Sequence, residues 1–292
     1  MNVKINLVLM VALFAVSASS IIARFLPDVS STVISLWRLV FASVAVWIYS
    51  LFKTQSRIKK QNIIPFFLSG FLLCLHFVCF YQAVKLTSIA NATLLGITAP
   101  MFTLLIERFV FKRIFKKIVF IGFAVALFGT IMITGMNFSL TTDSELGKLY
   151  GLAAALCIAI VYLLANKIRT DTSTVSYTRL LYLIAAMLLF VIATTNGENI
   201  FELNKSDYLW LLALGLIPTI LGHSLLYYGI KFTSPTIIAS VPLGEPVIAS
   251  ILAWMIFLEK VPFITLAGGI LILFGVYLII VNSPRAYLSE NY

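Results

Sequence analysis

The sequence predicts an all-α membrane protein of ten transmembrane helices, arranged as two inverted five-helix repeats. Three observations predict it: a composition too apolar for a water-soluble surface, ten apolar stretches of spanning length, and a repeat of half the chain whose charges change sides. Apolar residues make up 61% of the 292 residues and charged residues 11%, with a mean hydropathy of +1.04. A soluble domain carries about 45–50% and about 25%.

Crossing about 30 Å of hydrocarbon takes roughly 20 apolar residues in a helix. Such stretches fall at 5–23, 32–52, 62–83, 88–107, 117–135, 147–165, 174–194, 207–229, 234–257 and 262–281. The first ends in "AVSASS", which also fits a signal-peptidase site; a first helix lined with small packing residues is the better reading, because removing it would break the repeat. The second carries Arg38 and the seventh Arg179, both long enough to snorkel to an interface. The fifth and tenth carry Gly122 with Gly129 and Gly268 with Gly275, stripes that let helix backbones approach closely. Cys74, Cys79 and Cys157 lie within spans without metal-ligand spacing and read as small buried residues. The short alternating segments of an outer-membrane barrel are missing.

The net charge of +10 points to orientation in a lipid bilayer and not to nucleic acid. With an inside N-terminus, the basic clusters at Lys53–Lys60, Arg108–Lys117 and Lys167–Arg169 fall on one side, while Arg24, Lys85, Lys148, Lys205 and Lys260 are all the other side holds. This is the positive-inside bias, and it predicts both termini in the cytoplasm.

Sliding the chain by 146 residues registers its halves. "YQAVKLTS" at 81–88 falls on "YYGIKFTS" at 227–234, Pro100 on Pro246, Gly122 on Gly268, and "LFG" at 127–129 on "LFG" at 273–275. Five spans return the chain to the opposite side, so the second copy lies upside down. The basic set Arg108, Lys112, Arg113, Lys116 and Lys117 aligns with Trp254, Leu258, Glu259, Pro262 and Phe263, where no basic residue remains. The predicted units are a first repeat at 1–138, an outside linker at 139–146, a second repeat at 147–283 and a cytoplasmic tail at 284–292. Inverted repeats let a site between two halves open to one side and then the other.

"YYGIKFTSPTIIASVPLGEPVIASILAWMIFLEKVPFITLAGGILILFGV", its echo "YQAVKLTSIANATLLGITAPMFTLLIERF" and "LWRLVFA" at 36–42 resemble the EamA family of the drug/metabolite transporter superfamily. The resemblance covers nearly the whole chain. It implies a substrate cavity between the first, third, fourth, sixth, eighth and ninth spans, with the second and seventh away from it. Relatives carry amino acids, nucleotide derivatives, sugars, quaternary amines and drugs, so the substrate stays open. One departure is visible: Glu259 sits in the expected "FLEK" context, while Arg113 occupies the aligned place in the first half.

Ionisable residues within spans are costly and mark function. Glu245 stands close to the midplane of the ninth span between Pro242, Gly244 and Pro246, which predict a kinked helix with unpaired carbonyls. Such carbonyls beside a carboxylate suit an ammonium group or a proton; a capping or ion-paired glutamate is the structural alternative. His76 and His223 differ by 147 positions and nearly correspond under the repeat, so they are candidates to face one cavity and relay protons. Tyr227 shares a helix face with His223, and Tyr81 aligns with Tyr227. Asn91, Thr98 and Asn166 complete the candidate binding set, with Pro100 as a second helix break; hydrogen bonds between helices explain these polar residues equally well. Arg38 is expected to be structural or gating.

No P-loop is present, so ATP is not the direct energy source, and no cofactor or metal is implied. The leading reading is a secondary active transporter of a small polar or amphipathic metabolite, an amino acid or related zwitterion or cation, in the bacterial inner membrane, with proton or counter-metabolite coupling. The alternatives are a multidrug or toxic-compound exporter of the same family, a membrane-embedded enzyme, which lacks the carboxylate or metal sets such enzymes need, and a non-transporting sensor. Neither the direction of transport nor an oligomeric state follows from the sequence.

Overall fold

The computed structural model describes residues 3–134 and 142–282. Ten helices follow one another along these residues: α1 (Val3–Arg24), α2 (Ser31–Ser50), α3 (Ile63–Leu86), α4 (Ile89–Phe109), α5 (Lys117–Thr134), α6 (Asp143–Ile168), α7 (Thr174–Thr195), α8 (Lys205–Gly229), α9 (Pro235–Phe257) and α10 (Phe263–Asn282). Eight are long and apolar enough to cross a membrane; the apolar lengths of α5 and α10, Lys117–Met132 and Phe263–Ile279, are shorter. All ten spans expected from hydropathy are helices. The last residues of the expected linker, 143–146, are already helical, because Thr142 caps α6 by accepting from the Glu145 N–H and α6 starts at Asp143. Its remainder, 139–141, and the tail at 284–292 lie outside the described residues.

Helix ends need partners for their orphan N–H groups. Ser88 accepts from the Asn91 N–H at the start of α4, and Ser234 from the Ile237 N–H at the start of α9. These serines close the repeated "KLTS" and "KFTS" segments, so that part of the repeat encodes a capping signal. At their far ends α4 and α9 lead into Lys112 and Leu258, the two non-glycine residues with positive φ among those described, at 53° and 55°. The two lie 146 positions apart.

The packing follows the same symmetry. α3 packs on α6 and α1 on α8, contacts that exchange when the halves are swapped; α2 packs on α7, α5 on α10, and α4 crosses α9. A Cβ on Gly122 would lie 2.6 Å from the Gly275 carbonyl oxygen, and one on Gly129 would lie 2.5 Å from that of Gly268. Gly122 meeting Gly275 while Gly129 meets Gly268 makes α5 and α10 antiparallel. Since α10 is the repeat of α5, the pseudo-twofold axis runs across the helices and the repeats are inverted. The glycines permit this approach because no side chain separates the backbones.

Both crossing helices are broken in the middle. α4 divides into Ile89–Gly96 and Ala99–Phe109, and α9 into Pro235–Ser240 and Glu245–Phe257, joined by a tight turn at Val241–Gly244. Pro100 and Pro246 each sit in the first turn of the second piece, where a missing N–H costs nothing. The breaks coincide under the repeat: Gly96 aligns with Pro242 and Ala99 with Glu245.

Candidate functional site: a polar cavity on the pseudo-twofold axis

A partly open cavity with about 60 Å³ of free volume lies where the broken helices cross. α1, α3, α4, α6, α8 and α9 wall it, and Arg38 enters from α2. Twelve of its lining residues form six pairs related by the 146-residue repeat: Val16 with Tyr162, Phe77 with His223, Phe80 with Leu226, Thr93 with Ala239, Gly96 with Pro242, and Ala99 with Glu245. The cavity therefore straddles the pseudo-twofold axis, and its chemistry is lopsided. In three pairs the second repeat supplies a phenol, an imidazole and a carboxyl where the first supplies valine, phenylalanine and alanine.

Glu245 opens the second piece of α9 and is 8% exposed. Its carboxyl makes no hydrogen bond or salt bridge with any described residue, which leaves it to the cavity. The expected free carbonyl beside it is not found at Pro242, whose oxygen accepts from the Glu245 N–H. A short turn replaces the bonds that a continuous helix would have lost.

Arg38 departs from its expected place. It does not snorkel: it is fully buried, and it lines the cavity. Nε donates to Thr219 Oγ1 at 2.6 Å, and Nη1 donates to Ser19 Oγ at 2.8 Å and to the Tyr81 hydroxyl at 2.5 Å. The guanidinium lies 4.0 Å from the centre of the Phe77 ring, a cation–π arrangement. Nη2 is buried without a hydrogen-bond partner among the described residues. Depth in a span does not reveal which way a side chain points, and here α2 aims its arginine inward between α1, α3 and α8.

His76 and His223 meet with ring centroids 6.0 Å apart, and both line the cavity. His76 Nδ1 lies 2.9 Å from the Ala154 carbonyl, which can only accept, so Nδ1 is the donor of that bond. His223 Nδ1 is buried without a partner. Residues Gly215–Ser224 of α8 wind with widened turns around Pro218, which lacks the N–H that a regular helix needs. This stretch delivers both Thr219 to Arg38 and His223 to the cavity.

The remaining candidates are placed differently. Tyr81 is fully buried and spends its hydroxyl on Arg38 and Ser19. Tyr227 is also fully buried, packed 5.2 Å from Tyr177 and 6.0 Å from Tyr162 between ring centroids, with its hydroxyl unpartnered. Asn91 donates to Thr87 and accepts from Thr265, tying α4 to α10. Thr98 donates to the Leu95 carbonyl at the break in α4, and Asn166 donates to the Ile230 carbonyl. None of these five side chains lines the cavity. Gly244 sits against Leu13, and Pro246 borders a separate apolar groove between α4, α9 and α10. Tyr162, Phe77 and Thr93 line the cavity and were not singled out from sequence. The repeat itself held that signal, since Phe77 aligns with His223 and Ala99 with Glu245.

Two carboxylates clasp the ends of the crossing helices. Glu259, past the end of α9, accepts from the Ile89 N–H at the start of α4 at 2.7 Å, and Arg24 lies 3.5 Å away. Glu107, near the end of α4, accepts from the Thr236 hydroxyl at the start of α9 at 2.8 Å and pairs with Arg113 at 2.5 Å. The first repeat therefore has its own glutamate at the equivalent contact, displaced six positions from the aligned Arg113. Because α4 and α9 run antiparallel, the two clasps stand at opposite ends of the cavity. Among the described residues no cluster of three His, Cys, Asp or Glu side chains is placed to hold a metal ion.

The profile of the EamA-like transporter family matches residues 3–135 and again 145–281. An uncharacterised transporter of Bacillus subtilis, YdfC, is 26% identical over 245 residues, 83% of this chain and 79% of its own. The pseudopaline exporter CntI of Pseudomonas aeruginosa is 23% identical over 215 residues, 74% of each chain. A solved crystal structure superposes with a TM-score of 0.72 over 95% of this chain and 97% of the other at 16% identity, which shows the fold. A transporter family, and not an enzyme family, matches both halves of a ten-helix membrane fold: the chain belongs to the EamA-like transporter family, with two EamA repeats.

Proposed function

We propose that the chain is a secondary active transporter that carries a small amino acid or related zwitterion through the cavity by alternating access. One observation carries the reading: an arginine and a glutamate whose carboxyl is unpaired line the same cavity on the axis between the inverted repeats. Opposite charges set apart in a low-dielectric cavity complement a molecule with a cationic and an anionic group. The lining between them is largely apolar, with Val16, Phe80 and Leu226 among it, which suits an aliphatic body.

Alternating access follows from the two clasps. Opening one end separates the end of one broken helix from the start of the other, while the opposite clasp holds. The halves then rock about the crossing point at Gly96 and Pro242. The charge distribution supports both termini in the cytoplasm, which puts the Glu259 clasp at the outer face and the Glu107 clasp at the inner face of the cell membrane. A relative named as an exporter favours outward flux. The unpaired Glu245 and the histidine pair are suited to exchange protons with the cavity as substrate comes and goes.

Counterflow in proteoliposomes tests this: vesicles loaded with unlabelled amino acid take up labelled amino acid only if the protein exchanges it. Glu245→Gln removes the charge at nearly constant volume, and uptake should fall by about tenfold or more, the worth of one charge-assisted contact. Unchanged uptake in this variant between about pH 5 and 8 removes Glu245 from both binding and coupling.

A further inference from the structure

We infer that Arg38 holds the negative end of the transported molecule, so the substrate bears a carboxylate or another oxyanion. The inference rests on the transport reading and goes further by naming the group that must be present. A guanidinium stays charged at any working pH, and burying one inside a membrane protein is costly unless it is paired. All three hydrogen-bonding partners of Arg38, namely Ser19, Tyr81 and Thr219, are neutral hydroxyls. No carboxylate lies within 4.0 Å of it among the described residues. The hydroxyls and the Phe77 face orient the fork without neutralising it.

The part they leave unused is Nη2, buried and without a partner on a residue that lines the cavity. The other arginine buried as deeply, Arg169, spends all three nitrogens on neutral oxygens, and Arg113 meets Glu107; Arg38 does neither. A cationic cargo would enter a cavity that already carries a fixed positive charge, and only Glu245 would offset it. An oxyanion instead completes the arginine's unfilled position. The molecule's cationic group, where it has one, then falls to Glu245.

Four ligands of one shape separate the charges: leucine, leucinamide, 3-methylbutylamine and 4-methylpentanoate. Binding of each to the purified full-length protein is measured by calorimetry. The expected result is that leucine binds at least about tenfold more tightly than leucinamide or the amine, and that 4-methylpentanoate retains binding. Arg38→Gln should erase the difference between leucine and leucinamide, and Arg38→Lys should restore part of it. A merely structural arginine would weaken all four ligands together and leave their ratios unchanged. Binding of leucinamide and the amine as tight as that of leucine in the unaltered protein overturns the role of Arg38 while leaving the transport reading intact. Binding of none of the four overturns both for substrates of this size.

Discussion

Replacing Glu259 with alanine removes a carboxylate that joins the end of α9 to the start of α4. The contact with the Ile89 N–H, at 2.7 Å, is charge-assisted, a class worth about 1.5–3 kcal/mol. The Arg24 pair, at 3.5 Å with side chains 29% and 21% exposed, adds less than about 1 kcal/mol. A net loss of about 2 kcal/mol shifts a two-state equilibrium about 30-fold toward the form opened at that end. Glu107 is 1% exposed and holds both Thr236 and Arg113. Its removal should cost about 3 kcal/mol and favour opening at the other end by roughly 150-fold. The assay is a cysteine at Ala99, at the cavity wall, in a chain whose native cysteines are replaced by serine, labelled by an impermeant thiol reagent applied to either side of sealed vesicles. Glu259→Ala should raise labelling from one side and Glu107→Ala from the other. If both raise labelling from the same side, or neither changes it beyond about twofold, the clasps do not govern access.

Two further outcomes follow from packing. Gly275→Ala puts a Cβ 2.4 Å from the Gly122 carbonyl oxygen and 2.5 Å from the Ala126 nitrogen, so α5 and α10 must part by about 1 Å at a cost of about 1–3 kcal/mol. A thermal melt of the detergent-solubilised protein should fall by about 3–8 °C while ligand affinity holds, since neither helix reaches the cavity. Tyr227→Phe deletes a buried hydroxyl without a partner, so the melting temperature should stay constant or rise by the equivalent of up to about 1 kcal/mol; a large loss of uptake in that variant would place the hydroxyl in the transport path after all.

The helices were legible because a bilayer demands long apolar runs, and each run stands alone in the sequence. The inversion was legible from two local signs, an odd number of spans per half and the loss of all five basic residues of 108–117 at the aligned positions. Glu245 was legible as a lone acid between two prolines. What sequence does not carry is rotation about a helix axis. Arg38 sits at a depth from which its side chain reaches either headgroups or the interior, and only the gap between α1, α3 and α8 decides. Tyr81, Asn91, Thr98 and Asn166 are polar residues at plausible heights, yet each turns to a neighbouring helix or its own backbone. A hydroxyl that orients an arginine and one that touches a substrate look alike in sequence. The widened turns around Pro218 were hidden too, since a proline within an apolar run signals a disturbance without giving its form.

The pairing of Ala99 with Glu245 has a thermodynamic consequence. Two identical halves would give inward- and outward-facing forms of equal energy, each presenting the same groups to its own compartment. Here the carboxyl of Glu245 and the phenol of Tyr162 line the cavity from the second half only, and the guanidinium of Arg38 from the first only, so the degeneracy is lifted. On the alternating-access proposal, the resting population should lean to one side even without a gradient, and a ligand should be gripped unequally at the two faces. A molecule inserted upside down would still conduct, with its tighter face turned the other way.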